Sequence, residues 1–268
     1  MFQTAGGHRL EYNRIDPTPH PGAAADAPGL VFLHEGLGSV ALWKDFPERV
    51  SHATGCPAVV YSRYGYGKSD RLAEARGVDY MHREALEVLP PLLDALSIRN
   101  PILIGHSDGA SIALIHAGAG SRPVRGLVLL APHVFVEDIT VESIAQARVA
   151  FNTTDLSARL GRFHDHVESM FQGWNDIWLH PDFRRWNIVE YLPGVTCPVL
   201  LIQGEDDQYG TAAQVKAIAK QVNGPVETFM LPYCAHSPHV DQKQATVEKI
   251  VHFVDELSDK ASAAENRL

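Results

Sequence analysis

Residues 101–110 read PILIGHSDGA, and this stretch decides the fold. Three apolar residues, 102–104, precede the segment GHSDG, which fits the pattern G-x-S-x-G around Ser107, and an Ala- and Ile-rich run follows it. In such a pattern the chain turns sharply from a strand into a helix, and the backbone of the serine at the turn is strained. The flanking glycines have no side chains that could clash with the neighbouring strand and helix. The pattern therefore predicts a Ser107 hydroxyl held clear of the sheet edge, at the positive end of a helix dipole.

Short apolar runs recur along the chain and do not alternate with polar residues. Such runs are typical of strands that are buried on both faces of a parallel sheet. After a first strand near 9–15, they lie at 30–33, 58–61, 102–104, 127–130, 199–202 and 226–231. Helical patterns fall at 80–96, 211–222 and 242–257, and Pro90 and Pro91 must kink or split the first of these. We predict an α/β fold with a mostly parallel central sheet flanked by helices.

The alternation of strand and helix breaks between residues 133 and 194. This stretch reads as several short helices and carries nine aromatic residues, well above the chain average of 8%. A helical, aromatic-rich insertion after a strand is typical of a lid over a pocket, although the aromatics could also simply attach the insertion to the core. We predict a core domain at 1–132 and 195–268 and a helical cap at 133–194, with Trp174, Trp178 and Phe135 as substrate-binding residues.

The composition excludes several classes of protein. The 268 residues are 45% hydrophobic and 21% charged, which is ordinary for a globular protein and excludes disordered, collagen-like and coiled-coil chains. With 23 basic and 32 acidic residues, the net charge of −9 argues against a nucleic-acid or membrane partner. No apolar run approaches the roughly 18 residues of a membrane span, and the first residues lack a secretory pattern. We expect a cytoplasmic protein and leave its oligomeric state open, a homodimer included.

Cysteine and histidine spacing gives no sign of a metal site. Cys56, Cys197 and Cys234 lie far apart without a C-x-x-C motif, so we expect reduced thiols. His164 and His166 form an H-x-H pair, but no third ligand with suitable spacing accompanies them. We therefore expect neither a metal nor a cofactor.

The serine turn and the alternation around it resemble the α/β-hydrolase superfamily, over nearly the whole chain. The resemblance implies a nucleophile elbow at Ser107 and triad partners in the chain order serine, acid, histidine. It also implies an esterase-like or lactonase-like member, because relatives that are dehalogenases or epoxide hydrolases carry aspartate at the elbow.

Two glycine-rich segments extend the resemblance. Residues 32–39, FLHEGLGS, resemble the family's H-G-x-x-G loop, which implies an oxyanion hole formed by the backbone N–H groups of Gly36 and Asp108. Glu35 stands where the family usually has glycine, and this leaves the choice between Gly36 and Leu37 open. Residues 61–70, YSRYGYGKSD, are similar to a D-x-R-G-x-G-x-S stretch that is scaffolding in relatives.

Two later segments supply the other triad members. In relatives the acid lies three residues after the glycine that ends a strand, and in 200–209, LLIQGEDDQY, counting from Gly204 gives Asp207. In 231–239, LPYCAHSPH, the similarity to G-H-x-x-H selects His236. Other residues remain as alternatives or neighbours: Asp206 and Glu205 beside the acid, Glu137 or Asp138 after an earlier strand, and His239, which we expect to pack.

These residues predict a serine hydrolase of carboxylic esters or lactones with small to medium apolar acyl groups. It would act through a Ser-His-Asp triad and an acyl-enzyme, on a small-molecule substrate. Glu35 and Asp108 would place negative charge near the pocket mouth and disfavour anionic substrates. The alternatives are a carbon–carbon bond hydrolase of ring-cleavage products, which would use the same residues, and a ligand-binding protein without turnover.

Overall fold

The computed structural model describes residues 1–17 and 29–265, and its centre is a β-sheet. Within that part of the chain the sheet has eight strands: β1 (Phe2–Ala5), β2 (His8–Ile15), β3 (Leu30–Leu33), β4 (Ala58–Tyr61), β5 (Ile102–His106), β6 (Gly126–Leu130), β7 (Val199–Gly204) and β8 (Val226–Leu231). Their order is β1-β2-β4-β3-β5-β6-β7-β8. β2 pairs antiparallel with β1 and β4, and all other pairs are parallel. The predicted α/β fold with a mostly parallel sheet is confirmed.

Helices cover both faces of the sheet. They are α1 (Phe46–Thr54), α2 (Tyr80–Arg83), α3 (Leu89–Ala95), α4 (Asp108–Gly118), α5 (Asp138–Thr153), α6 (Leu156–Leu160), α7 (Val167–Trp178), α8 (Ala212–Gln221), α9 (Pro238–Asp241) and α10 (Lys243–Glu265). Every residue of β3 to β7 is buried, as the apolar runs predict. Alternate residues of these strands join two apolar layers, one with α1 and α10 and the other with α3, α4 and the segment between β6 and β7.

Two details differ from the sequence prediction. β1 was not predicted because this edge strand is mostly exposed and lacks an apolar run. The helical stretch at 80–96 is split, as predicted, into α2, a π-helical turn at Glu84–Val88 and α3, which has Pro90 and Pro91 in its first turn, where proline is tolerated. The last helix extends to Glu265, beyond the predicted end at 257, and the loop predicted at 16–29 falls mostly on residues outside the described ranges.

The segment between β6 and β7 is helical. It contains α5, α6 and α7 and the 3-10 turns Pro181–Arg185 and Val189–Gly194. Its only β pairing among the described residues is a bridge between Phe135 and Asn187. Phe171, Trp174 and Trp178 belong to the same apolar cluster as the residues of α4, so the insertion packs directly on the core. No helix in the described ranges is both long enough and apolar enough to cross a bilayer.

Candidate active site

Ser107 lies between β5 and α4 in a strained backbone conformation. Its φ of 53° and ψ of −115° belong to a region that residues with side chains rarely adopt. A Cβ on Gly109 would lie 2.0 Å from the carbonyl oxygen of Leu33, and one on Gly105 would lie 2.4 Å from the oxygen of Gly109. Only glycine fits these two positions, so the G-x-S-x-G spacing has a steric cause. The turn leaves Ser107 about 7% exposed.

Ser107 opens into a cavity at the carboxyl ends of the parallel strands. Its volume is about 160 Å³, and both core loops and the insertion line it. Such a position is typical of ligand sites in open α/β sheets. The lining residues are Glu35, Gly36, Leu37, His106, Ser107, Asp108, His133, Thr140, Ile144, Trp174, Trp178, Tyr209, His236 and Ser237.

His236 and Asp207 form a hydrogen-bonded pair. The loop after β8 carries His236 and the loop after β7 carries Asp207, and His236 Nδ1 lies 2.8 Å from Asp207 Oδ1. The same oxygen accepts the N–H of Tyr209 at 2.8 Å, and Gln203 Nε2 donates to Oδ2 at 3.1 Å. Burial alone would raise the pKa of Asp207, but the hydrogen bond and charge of His236 lower it to about 2. Asp207 is therefore a carboxylate at neutral pH.

The pairing also fixes the imidazole of His236. Because an ionised carboxylate can only accept, Nδ1 of His236 carries a proton, and in the neutral imidazole Nε2 then keeps its lone pair. The backbone oxygen of His236 accepts a hydrogen bond from His106 Nε2 at 2.8 Å, which holds the loop. His236 and Ser107 line the same cavity. No hydrogen bond joins Ser107 to His236 in the described chain, and catalytic hydrogen bonds are often long without substrate.

The carboxylates that were alternatives to Asp207 do not contact His236 in the described chain. Asp206 and Glu205 are exposed on the loop beside Asp207. Glu137 accepts hydrogen bonds from the backbone and side chain of Thr211, and Asp138 pairs with Arg184 on the surface. Of the five carboxylates that the sequence left open, the structure therefore brings only Asp207 to His236. His239 is buried against Trp43 and Phe46, with ring centroids 4.9 and 5.4 Å away.

Gly36 and Asp108, whose backbone N–H groups the resemblance implies as oxyanion donors, both lie at the cavity. Among the described residues neither N–H is used in a hydrogen bond within the protein. Leu37 lines the cavity as well, so the choice between Gly36 and Leu37 as the backbone donor stays open. A Cβ on Gly36 would lie 1.9 Å from Trp174 Nε1, because the tryptophan packs directly over the loop.

The two acidic side chains predicted at the pocket mouth differ in environment. Asp108 is buried, and its Oδ2 accepts the Tyr80 hydroxyl at 2.7 Å and lies 3.5 Å from Arg63 Nη2. The expectation that it adds negative charge to the mouth is therefore wrong, since an arginine neutralises it inside the protein. The Glu35 side chain is 27% exposed, and its Oε2 lies 3.5 Å from His106 Nδ1. Burial alone would raise the pKa of Glu35, but His106 holds it well below its usual range.

The predicted substrate-binding aromatics fall into two groups. Trp174 and Trp178, on α7, line the cavity. Phe135 is not among the lining residues: its backbone bridges to Asn187, and it is partly buried and packs against the core cluster. The prediction for Phe135 is therefore corrected, because the chain at 135 is held at the base of the insertion.

Sequence reasoning missed several lining residues. His133 follows the end of β6, and its Nε2 lies 3.0 Å from the oxygen of Tyr209, two residues after Asp207. Thr140 and Ile144 lie four residues apart on one face of α5. His133 could have been identified as a candidate cavity residue because it follows the end of a strand. Nothing in the local sequence distinguishes Thr140 from the other residues of its helix.

In the described ranges no group of three or more His, Cys, Asp or Glu residues is arranged to hold a metal ion. His164 instead bridges two loops, since its Nδ1 accepts the N–H of Gly67 and its Nε2 donates to the oxygen of Leu37, both at 2.9 Å. The three cysteines are free.

The chain is similar to known hydrolases in sequence and in structure. A curated relative, N-formylmaleamate deformylase of Pseudomonas putida, is 28% identical over 216 residues, or 74% of this chain and 75% of the relative. Among solved structures, the enol-lactonase from Burkholderia xenovorans LB400 superposes with a TM-score of 0.74 at 20% identity, covering 95% of this chain and all (100%) of the other. A meta-cleavage product hydrolase from Pseudomonas fluorescens IP01 gives 0.73 at 18% identity, with 96% and 97% covered.

At these identities the two solved structures show the fold alone. The family model adds more, because the model described as the alpha/beta hydrolase family matches residues 30–249, which include every element from β3 to α9 and the start of α10. The resemblance seen in the sequence is therefore confirmed, and the chain is a hydrolase that belongs to the alpha/beta hydrolase family.

Proposed function

We propose that this protein is a serine hydrolase that cleaves carboxylic esters or lactones of small to medium apolar acyl groups. The observation that carries the proposal is the 2.8 Å pairing of Asp207 with His236 in a cavity that Ser107 also lines. A serine hydroxyl needs an adjacent base to become nucleophilic, and an imidazole needs an orienting carboxylate to serve as that base. Asp207, His236 and Ser107 match these three roles.

The reaction would proceed in two halves. Ser107 Oγ attacks the carbonyl carbon while His236 Nε2 takes its proton, and the N–H groups of Gly36 and Asp108 stabilise the oxyanion. His236 then gives the proton to the leaving alkoxide, so that an alcohol departs and an acyl-enzyme remains. In the second half, water attacks the acyl-enzyme with His236 again as base, and the acid is released.

We further propose that residues 133–194 act as a cap that sets the size of the acyl group. Trp174, Trp178 and Ile144 supply apolar walls from the insertion, while the core supplies the polar groups. A cavity of about 160 Å³ suits a small acyl group better than a polymer. The deformylase relative, whose name indicates removal of a formyl group, is consistent with a small acyl site.

Labelling with a fluorophosphonate probe tests the nucleophile. We expect one adduct on Ser107 in the wild-type protein, and none in Ser107→Ala or His236→Ala, as measured by intact and peptide mass spectrometry. Ser111→Ala is a matched control, since Ser111 lies on the same helix and donates to the oxygen of His133 at 2.6 Å. Folded wild-type protein that takes no label would contradict the proposal and favour a binding protein.

Glu35 is expected to set a preference for neutral substrates. Its carboxylate lies at the cavity, so a negatively charged acyl chain would be repelled by about 1 kcal/mol, or roughly fivefold in kcat/KM. Glu35→Gln should remove this difference between a butyrate ester and a hemisuccinate ester that share one leaving group. Glu205→Gln, which changes an exposed carboxylate outside the cavity, should leave the ratio unchanged. An unaltered ratio in Glu35→Gln would refute this role.

A further inference from the structure

Arg63 is a buried cation beneath the candidate site. It follows β4 in the segment that sequence similarity marks as scaffolding, and its side chain is only 1% exposed. The guanidinium packs over the ring of Tyr66 at 4.7 Å, and the peptide N–H of Arg63 donates to His34 Nε2 at 3.0 Å. Because burying a charge is costly unless it is paired, its partners indicate what it does.

The first partner is the loop that carries Gly36. Arg63 Nη2 donates to the carbonyl oxygen of Glu35 at 2.9 Å. His34 Nε2 accepts the hydrogen bond from the Arg63 peptide N–H. The proton of the His34 ring is therefore on Nδ1, which donates to the carbonyl oxygen of Glu35 at 2.7 Å. The bond between Glu35 and Gly36 is trans, so its N–H points opposite to this carbonyl. Fixing the oxygen on the arginine side therefore fixes the Gly36 N–H on the opposite side of the peptide.

The second partner is the residue after the nucleophile. The same nitrogen, Arg63 Nη2, lies 3.5 Å from Asp108 Oδ2. Tyr80 donates its hydroxyl to that oxygen at 2.7 Å and in turn accepts the indole N–H of Trp178 at 3.0 Å. Asp108 thus has its side chain anchored below the site while its N–H begins α4. One guanidinium nitrogen therefore contacts the peptide oxygen before Gly36 and the side chain of Asp108, the two residues proposed as oxyanion donors.

We propose that Arg63 is a positioning residue that sets the orientation of the Gly36 N–H and its spacing from the Asp108 N–H. The inference rests on the proposed function, because it concerns the donors that would stabilise the oxyanion. Arg63 would act through Glu35 and Asp108 and would not need to contact the substrate. A displaced donor should weaken binding of the transition state more than binding of the ester.

Kinetics of three variants test this role. Arg63→Met removes the charge and the donors at similar length, and we expect kcat to fall about a hundredfold with KM changed less than threefold. Arg63→Lys keeps the charge and one donor and should recover part of the loss. Arg76→Met is the matched control, since Arg76 packs on the same Tyr66 ring and on Tyr80 and donates to the oxygen of Tyr64, but in the described chain it has no hydrogen bond or ion pair with Glu35 or Asp108. Equal kcat values in Arg63→Met, Arg63→Lys and wild type would overturn the proposal.

A second measurement is independent of activity. Backbone amide signals of Gly36 and Asp108 in ¹H–¹⁵N spectra should shift together in Arg63→Met, to a lesser extent in Arg63→Lys, and not in Arg76→Met. If Arg63→Met does not fold, the lysine variant and the control decide the comparison. Wild-type protein without hydrolytic activity would refute the proposed function, whereas unshifted Gly36 and Asp108 signals in a folded Arg63 variant would refute the positioning role alone.

Discussion

Alanine at position 107 is expected to lower kcat for ester hydrolysis about a millionfold, to the level left by binding and the oxyanion donors. The reason is chemical, because alanine cannot form the acyl-enzyme and leaves His236 without a hydroxyl to deprotonate. The structure adds a steric reason to expect a folded variant: the strained φ of 53° belongs to the turn, and alanine has a Cβ as serine does. Steady-state kinetics with a chromogenic short-chain ester, at KM and above it, measure the change.

Ser111→Ala is the control for this experiment. Ser111 is buried four residues further along α4, and its loss removes a hydrogen bond to the oxygen of His133. We expect it to cost about 1 kcal/mol of folding free energy and to leave kcat within a few-fold of wild type. A Ser107→Ala variant that kept activity within tenfold of wild type would show that another group is the nucleophile.

The sequence could predict these positions because each depends on a strand end. In a parallel sheet the residues that follow successive strands meet at one edge, so the places of Ser107, Asp207 and His236 after their strands bring them together. The steric requirement for Gly105 and Gly109 is equally local, since both glycines lie beside the turn they permit. Local sequence therefore contained the elbow, whereas the choice of Asp207 and His236 depended on the resemblance to the family.

Contacts that join distant segments could not be predicted in this way. The contact of Arg63 with Asp108 spans 45 positions and has no periodicity, and neither does the hydrogen bond from Trp178 to Tyr80. The loop of Arg63 resembles a motif that is structural in relatives, whereas the structure adds a hydrogen bond from Arg63 Nη2 to the oxygen of Glu35, in the loop that carries Gly36. Phe135 failed for the opposite reason: an aromatic residue in the insertion was assigned to the pocket by composition alone, and its backbone bridge holds it elsewhere.

Asparagine at position 207 is expected to lower kcat by about a thousandfold to ten-thousandfold. In the native site, Asp207 Oδ1 accepts both the Tyr209 N–H and the proton of His236 Nδ1, and Oδ2 accepts Gln203 Nε2. An asparagine whose oxygen keeps the first two contacts turns its NH₂ toward the Gln203 donor. One that satisfies Gln203 turns its NH₂ toward Tyr209 and His236, which forces the imidazole into the wrong tautomer. Either orientation also removes the negative charge that stabilises the imidazolium.

Asp206→Asn separates this effect from a general change of the loop. Asp206 is the neighbouring residue, it is exposed, and its backbone N–H donates to the oxygen of Cys234 at 3.0 Å in a contact that asparagine retains. We expect kcat within about threefold of wild type for this variant, with the same ester and the same pH range as for Asp207→Asn. Fluorophosphonate labelling rates should follow the same order, since they depend on the activated hydroxyl and not on the leaving group. A large loss in Asp206→Asn beside a small one in Asp207→Asn would move the acid by one residue and contradict the pairing that supports the proposed reaction.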